Sequence, residues 1–407
     1  MTAETTLDLS KTLAVLLAGG QGSRLHELTH GECKPALLFG DRRRIVDFTV
    51  AGAVRSGIRQ MIVATQYEPA TLNSHMVSRW GRAFSMMALR HGPTVTGRPE
   101  GYAGTAAVVA ANMAEIDASG AEEIVVLAGD HIYDMNLTAM IADHRMTGAD
   151  VTVAVDAVPL ADATAFGVMG TDADGRIRMF VEKPAHPPHM PGDPSRALAS
   201  MGIYVFKWAW LRAALVKEMA ADRAEHDFGK HILPLAVANG HAYAHTRMLD
   251  DEGRAPYWRD VGTLDAFRKS WIDLRDGLVR CRLPDTVNAG RRMLDPGHDG
   301  WTGYNLRAGG LSLAPPSSMT RRWTLLDDTV VMPGARIEPG ARLTRAIVAP
   351  GAIIPADLTV GEDAMEDARW FRVSTGGTTL ITPEMLSRRA SARAPIYSTA
   401  SLSTERI

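Results

Sequence analysis

This chain has little cysteine, no long apolar run and almost no charge imbalance, and each shortage removes a class of protein. Only Cys33 and Cys281 occur among 407 residues, so no disulfide framework is expected and a reducing cytoplasm is the natural compartment. No apolar stretch approaches the length that crosses a bilayer. Met1 to Thr12 is polar and lacks the basic and apolar regions of a signal peptide. A soluble, cytoplasmic protein with no membrane partner is therefore expected. With 44 basic against 46 acidic residues the formal charge is −2, which argues against a nucleic-acid partner. The 13 histidines show no metalloenzyme spacing, and neither a G-x-S-x-G elbow nor a reactive-cysteine context is present.

What the chain does have is an apolar run that feeds directly into glycines. Val15-Leu16-Leu17 leads into Ala18-Gly19-Gly20-Gln21-Gly22-Ser23-Arg24-Leu25, followed by Cys33-Lys34-Pro35. Glycines remove the Cβ atoms that would keep amide N–H groups from an anion, and Arg24 and Lys34 can neutralise its charge. The string is neither a Walker P-loop nor a full G-x-G-x-x-G fingerprint. By composition alone, a strand-to-helix glycine turn without function is as good a reading.

Short runs rich in Val, Ile and Leu recur at 13–17, 61–65, 124–128, 151–155 and 202–206, separated by helix-like stretches. This rhythm predicts an α/β, Rossmann-like domain with a mixed, mostly parallel sheet. Ligands in such sheets sit at the carboxyl ends of the strands. The glycine loop and Gly129-Asp130 both follow apolar strands, so both should face one crevice. Asp130 could serve there as a hard oxygen ligand to a metal, or simply cap the next helix. Past Gly277 the chain becomes rich in Gly, Pro and Arg. Val331, Ile337 and Leu343 then lead hexads, and after one five-residue step so do Val348, Ile354 and Val360. That period reads as a short parallel β-helix. The expected domains are 1–276, a linker or irregular region over 277–325, and a hexapeptide-repeat domain with a tail over 326–407.

The glycine string with Lys34-Pro35 resembles the signature of the sugar-phosphate nucleotidyltransferases, and within them the bacterial glucose-1-phosphate adenylyltransferases. Further blocks follow in that family's order. They include Arg44-Ile45-Val46-Asp47-Phe48, Leu127-Ala128-Gly129-Asp130-His131-Ile132-Tyr133, Val181-Glu182-Lys183-Pro184, Asp227-Phe228-Gly229-Lys230 and Tyr257-Trp258-Arg259-Asp260-Val261-Gly262-Thr263. The resemblance implies transfer of AMP from ATP to glucose 1-phosphate, with pyrophosphate released, and a left-handed β-helix after the catalytic domain. It implies Asp130 and Asp260 as a pair holding Mg²⁺, with Arg24 and Lys34 on the triphosphate. Leu17, Ala18, Gly19, Gly20, Gln66, Tyr102, Gly104, Thr105 and Gly129 would surround the nucleotide. Gly167, Glu182, Lys183, Ser200, Met201, Gly202, Tyr204, Asp227 and Lys230 would take the sugar phosphate. His131 reads as structural. Pro184 should hold Lys183 extended and direct it off the strand end.

The chemistry agrees with such a set. A phosphate monoester with a second pKa near ~6 is already mostly ionised at pH 7, so the nucleophile needs no base. The obstacle is repulsion between polyanions, which calls for cations and positioning. Two other readings stay open: a weakly catalytic or non-catalytic regulatory paralogue, and the same chemistry on another hexose 1-phosphate. A β-helix this short should leave an apolar edge bare, so a homo-oligomer is expected, a tetramer by resemblance, or a hetero-oligomer with a paralogue. Gly31 and Glu32 stand where the family's activator site would have cations, so phosphorylated activators should bind weakly unless Arg42, Arg43 and Arg44 substitute.

Overall fold

Runs such as Leu13–Leu17 and Ile124–Ala128 carry no polar alternation, as a strand covered on both faces requires. In the computed structural model both are central strands. It describes residues 7–40, 43–135, 137–190, 192–246, 257–279, 306–308, 311–314 and 324–393. The chain divides into two compact units, one reaching residue 294 and one from 295 onward.

The first unit is built on β1 (Thr12–Leu17), β2 (Gln60–Thr65), β3 (Met86–His91), β4 (Glu123–Ala128), β5 (His131–Tyr133), β6 (Val151–Pro159), β7 (Gly167–Thr171), β8 (Ile177–Glu182), β9 (Arg196–Lys207), β10 (Ala242–Thr246) and β11 (Trp258–Asp260). The main sheet runs β10-β6-β9-β4-β1-β2-β3, with β7 and β8 as a hairpin joined to it through β9. Strands β3, β2, β1 and β4 are mutually parallel, as are β10 and β6, and β9 lies antiparallel between β4 and β6. The mixed, mostly parallel sheet expected from the sequence is thus present. Successive side chains alternate between two cores. Leu13, Val15, Ile124 and Val126 join one apolar layer with helices Thr105–Ala111 and Trp208–Met219, and Ala14, Leu16, Val125 and Leu127 join the other with helix Ile45–Arg55. Each fully buried Leu or Val contributes about 1.5–3 kcal/mol, so this two-sided burial fixes the register of β1 and β4. Leu17 pairs with Ala128, which brings the glycine loop and Asp130 out side by side. Cys33 is a free thiol buried in the second core, and Cys281 lies outside the described residues.

In the second unit Leu325 pairs with Arg342, Val330 with Ile347 and Arg336 with Ile353, so each coil of the left-handed parallel β-helix takes 17 residues. That is the six-six-five spacing read from the sequence. Leu343, Val348, Ile354 and Val360 are buried, while Val331 and Ile337 are partly covered. The segment read as linker over 277–325 lies largely outside the described residues, and so do the tail from 394 and Arg42. Within that segment, however, Leu306–Ala308 and Leu311–Ala314 form strands that extend the sheet at Thr324–Asp327.

The expectation of a bare apolar edge does not hold. Helix Ala364–Trp370 interrupts the coil, so that Ala346 pairs with Thr379, and it brings Trp370 and Phe371 onto Ile354, Val360 and Ile381. Met385 of helix Pro383–Arg393 joins the same cluster. Asp363 caps the inserted helix by accepting the Met365 and Glu366 amides, and Asp367 accepts the Gly361 amide at 2.7 Å. The cover is made of large side chains from an irregular segment, which no hexad period announces. Among the described residues no helix is long and apolar enough to cross a membrane.

Candidate active site

The glycine loop closes on itself. The Ala18 amide donates to the Ala64 carbonyl, and the Lys34 amide returns to the Gly20 carbonyl at 3.2 Å, which carries the Lys34 side chain beneath the loop. There its buried ammonium donates to Asp130 Oδ2 at 3.1 Å and Asp260 Oδ1 at 2.8 Å. Asp260 arrives from far along the chain by a two-stranded ribbon, in which β11 pairs antiparallel with β5 and sets Asp260 opposite His131. Arg24 lies 3.7 Å from Asp260 Oδ2, with its guanidinium largely exposed to the cleft.

Burial alone would raise both carboxyls, but here it is outweighed. Lys34 and His131 hold Asp130 down at about 2, and the same two neighbours keep Asp260 below the ordinary aspartate range. Lys34 is likewise held above its ordinary value against its burial, by the two carboxylates. All three groups are therefore ionised at neutral pH. His131 donates from Nδ1 to the Met201 carbonyl, 3.2 Å away, and its Nε2 stands 3.6 Å from Asp130 and 3.8 Å from Asp260. Lys34 occupies one oxygen of each carboxylate, Oδ2 of Asp130 and Oδ1 of Asp260. Two hard carboxylates beside a glycine loop suit Mg²⁺, which typically binds one or two carboxylates plus substrate phosphates. Among the described residues no cluster of three or more His, Cys, Asp or Glu could hold a metal by itself.

These groups sit at one end of a cleft of about 520 Å³. At the end of β2 the Tyr102 amide donates to Gln66 Oε1 at 2.7 Å, which fixes the Gln66 carboxamide. Gly104 adopts φ 106°, and a Cβ there would collide with the His226 carbonyl. The Gly104 turn is latched to residues 226–228: Ala106 donates to the His226 carbonyl, His226 to the Ala103 carbonyl, and the Thr105 hydroxyl to Asp227 Oδ2 at 2.8 Å, while the Phe228 amide donates back to Thr105.

Elsewhere along the cleft Glu182 ends β8, and its carboxylate lies in a gap left by missing side chains. A Cβ on Gly167 would sit 2.8 Å from Glu182 Oε2, and one on Gly229 2.5 Å from it. Lys183 Nζ is 3.1 Å from Glu182 and mostly exposed. Its backbone corrects the sequence reading: Lys183 is not extended but has φ 47°. β8 pairs with β7 as far as Glu182, and the Lys183 amide still donates to Phe166. The chain must therefore turn away at once, and the strain falls on Lys183.

Against known families, residues 13–276 match the model described as nucleotidyl transferase, and 311–381 match GlmU-like, C-terminal hexapeptide. A glucose-1-phosphate adenylyltransferase from Jannaschia sp. (strain CCS1) is 40% identical over 96% of this chain and all of the relative. One from Cereibacter sphaeroides (strain ATCC 17029 / ATH 2.4.9) is 38% identical over 96% of this chain and all of the relative. One from Roseobacter denitrificans is 40% identical, covering 93% of this chain and 97% of the relative. The chain belongs to the glucose-1-phosphate adenylyltransferase family.

Of the residues that family resemblance singled out, Leu17, Gly19, Gly20, Arg24, Gln66, Tyr102, Gly104, Thr105, Asp130 and Asp260 line the cleft, as do Gly167, Glu182, Lys183, Ser200, Gly202, Tyr204 and Asp227. Others do not reach it. Ala18 and Met201 are packed in the core, and Gly129 is buried against the Leu17 carbonyl. Lys34 lies under the carboxylates. Lys230 points to Glu225 at 2.7 Å, and Asp227 spends Oδ1 on the Gly229 and Lys230 amides. The structure adds His131 and Phe166 to the lining. For His131 the one signal was its position directly after Asp130.

Proposed function

We propose that this protein transfers AMP from ATP to α-D-glucose 1-phosphate, releasing pyrophosphate and forming the glucosyl nucleotide for α-glucan synthesis. The observation that carries this reading is the alternation of charge along one cleft. Arg24 stands on the glycine loop, Asp130 and Asp260 stay ionised over the buried Lys34, and Lys183 lies beside Glu182. Cations at both ends can neutralise two polyanionic substrates, and the fixed carboxylates add no mobile proton. Arg24 would bind and orient the triphosphate. Lys183 would hold the sugar phosphate, with Glu182 accepting from sugar hydroxyls. Lys34 keeps the aspartates ionised and aimed. When bound, Mg²⁺ would be held by Asp130 and Asp260 and would supply further neutralisation of phosphate charge.

The proposal extends to a cytoplasmic homo-oligomer under weak control by phosphorylated activators. Arg44, one of the cations available for such an activator, is already paired with Glu32 at 3.0 Å. The deciding experiment measures pyrophosphate release by the purified protein over a matrix of nucleotides and sugar 1-phosphates. The highest kcat/KM should fall on ATP with glucose 1-phosphate. Turnover with no pair, or a preference for another pair, would overturn the reading.

A further inference from the structure

Behind the cleft, three elements bring a cluster of titratable side chains onto one carboxylate oxygen. Glu218 Oε1, near the end of helix Trp208–Met219, lies 3.0 Å from His226 Nδ1, 3.4 Å from His231 Nδ1 and 3.5 Å from Arg223 Nε. All but Arg223 are largely buried. The second contact of His231 is what makes the cluster unusual: its Nδ1 also accepts the Asp227 amide, at 3.1 Å. Asp227 in turn caps the short helix that starts at Phe228, its Oδ1 accepting the Gly229 and Lys230 amides. This resembles a capping box, but the return acceptor is an imidazole at the fourth helical residue instead of a Glu or Gln at the third.

One nitrogen thus stands between an amide N–H and a carboxylate oxygen, and it cannot serve both. As an acceptor it must be unprotonated, with the ring proton on Nε2. Once protonated it becomes a donor, suited to Glu218 and opposed to the Asp227 amide. The other charged groups facing the turn do not compete for it: Asp227 is occupied by Thr105 and its own cap, Lys230 is held by Glu225, and Glu182 reaches Gly229 from β8.

We propose that His231 is a positioning residue for the sugar-phosphate side of the cleft, holding Asp227, Phe228 and Gly229 in place only while its Nδ1 is unprotonated. The residues it steadies line the cleft and flank Glu182, and they also bond Thr105, so the effect should fall first on the sugar phosphate and to a smaller extent on ATP. For its kinetic readout the proposal rests on the adenylyltransferase reading.

The test uses the full-length protein and two variants. His231→Asn places an amide oxygen where Nδ1 stands and cannot be protonated, whereas His231→Leu removes the acceptor. For the wild type, KM for glucose 1-phosphate should rise about fivefold between pH 7.5 and a lower pH at which spectra of labelled histidine show His231 protonated, the size of one neutral hydrogen bond, beyond the change due to the substrate phosphate itself. That excess should vanish in His231→Asn, and His231→Leu should show the raised KM at both pH values. In all three proteins KM for ATP should change in the same direction but by a smaller factor, because the turn reaches that substrate only through Thr105. An unchanged excess in His231→Asn, or a wild-type KM in folded His231→Leu, overturns the proposal. Nitrogen-15 spectra of labelled histidine at pH 7.5 read the tautomer without any turnover. A protonated Nδ1 on His231 overturns the proposal whatever the enzyme assay gives. An unprotonated Nδ1 in a protein that turns over no substrate pair upholds this geometry and removes the functional reading instead.

Discussion

At the charged end of the cleft Lys34, Asp130 and Asp260 hold one another by ionic hydrogen bonds of 2.8 and 3.1 Å, whereas at the end proposed for the sugar phosphate Glu182 is held by what its neighbours lack and by a capped turn. The first arrangement draws on residues from three distant parts of the chain and tolerates small displacements, because charge acts over several ångströms. The second depends on contacts that change by a full collision when one methyl group is added. The two ends should therefore fail differently: loss of charge should abolish turnover or folding at one end, and small steric changes should degrade one substrate's affinity at the other.

The largest effect is expected from Asp130→Asn. It preserves shape and removes a carboxylate poised at about 2, so kcat should fall by about 10³ or more. A normal melting curve with near-normal kcat would remove Asp130 from the site. Lys34→Met tests the same end through stability. Two carboxylates would be left without their buried partner, at a cost of about 3–5 kcal/mol at pH 7. The sign of its pH dependence follows from Asp130, whose folded-state value is depressed from 3.8 to about 2. Its ionic stabilisation is present in the wild type above the ordinary value and is lost as pH falls toward the depressed one. Urea titrations should therefore show the gap between wild type and Lys34→Met widest at pH 7 and narrowing below pH ~4. A gap independent of pH would mean that Lys34 stabilises by packing alone.

At the other end, Gly229→Ala would set a Cβ 2.5 Å from Glu182 Oε2. Glu182 must then swing away, and overpacking of this kind costs about 1–3 kcal/mol. KM for glucose 1-phosphate should rise by about tenfold or more, with KM for ATP unchanged. Equal increases for both substrates would place the Glu182 cradle outside the sugar-phosphate subsite.

Sequence reading reached these two ends unequally, for a physical reason. Strands β1 and β4 were legible because burial on both faces demands continuous apolar residues, and the loops after them follow from sheet topology. Strand β3, Met-Met-Ala-Leu-Arg-His, was not, because a half-exposed edge strand needs no such run. Hexad leaders appeared because each coil repeats the same contact, whereas Trp370 and Phe371 cover the core once, from an insertion. Likewise, the family blocks named Asp227 and Lys230 as a unit, yet Asp227 turned out to cap a helix and bond Thr105 while Lys230 faces Glu225. Residue type and order mark a segment as near a site. Which of its side chains enters the cleft depends on the turn that carries them.

Lys183 separates the two ends most finely, because its backbone and its ammonium make opposite demands. At φ 47° a residue with a Cβ is strained and glycine is not, a difference on the order of 1–2 kcal/mol. Lys183→Gly should therefore be more stable than Lys183→Ala by about 1 kcal/mol, an offset readable as a shift in the urea midpoint. Both variants should lose affinity for glucose 1-phosphate to a similar extent, since both remove the ammonium. Lys183→Arg should recover little of it, because a planar fork does not occupy the place of a compact charge. If Lys183→Gly is no more stable than Lys183→Ala, the turn after β8 is relaxed, and the position of the ammonium is set by Glu182 alone. If it is more stable and equally impaired, the strained backbone is the cost of aiming this lysine at the sugar phosphate.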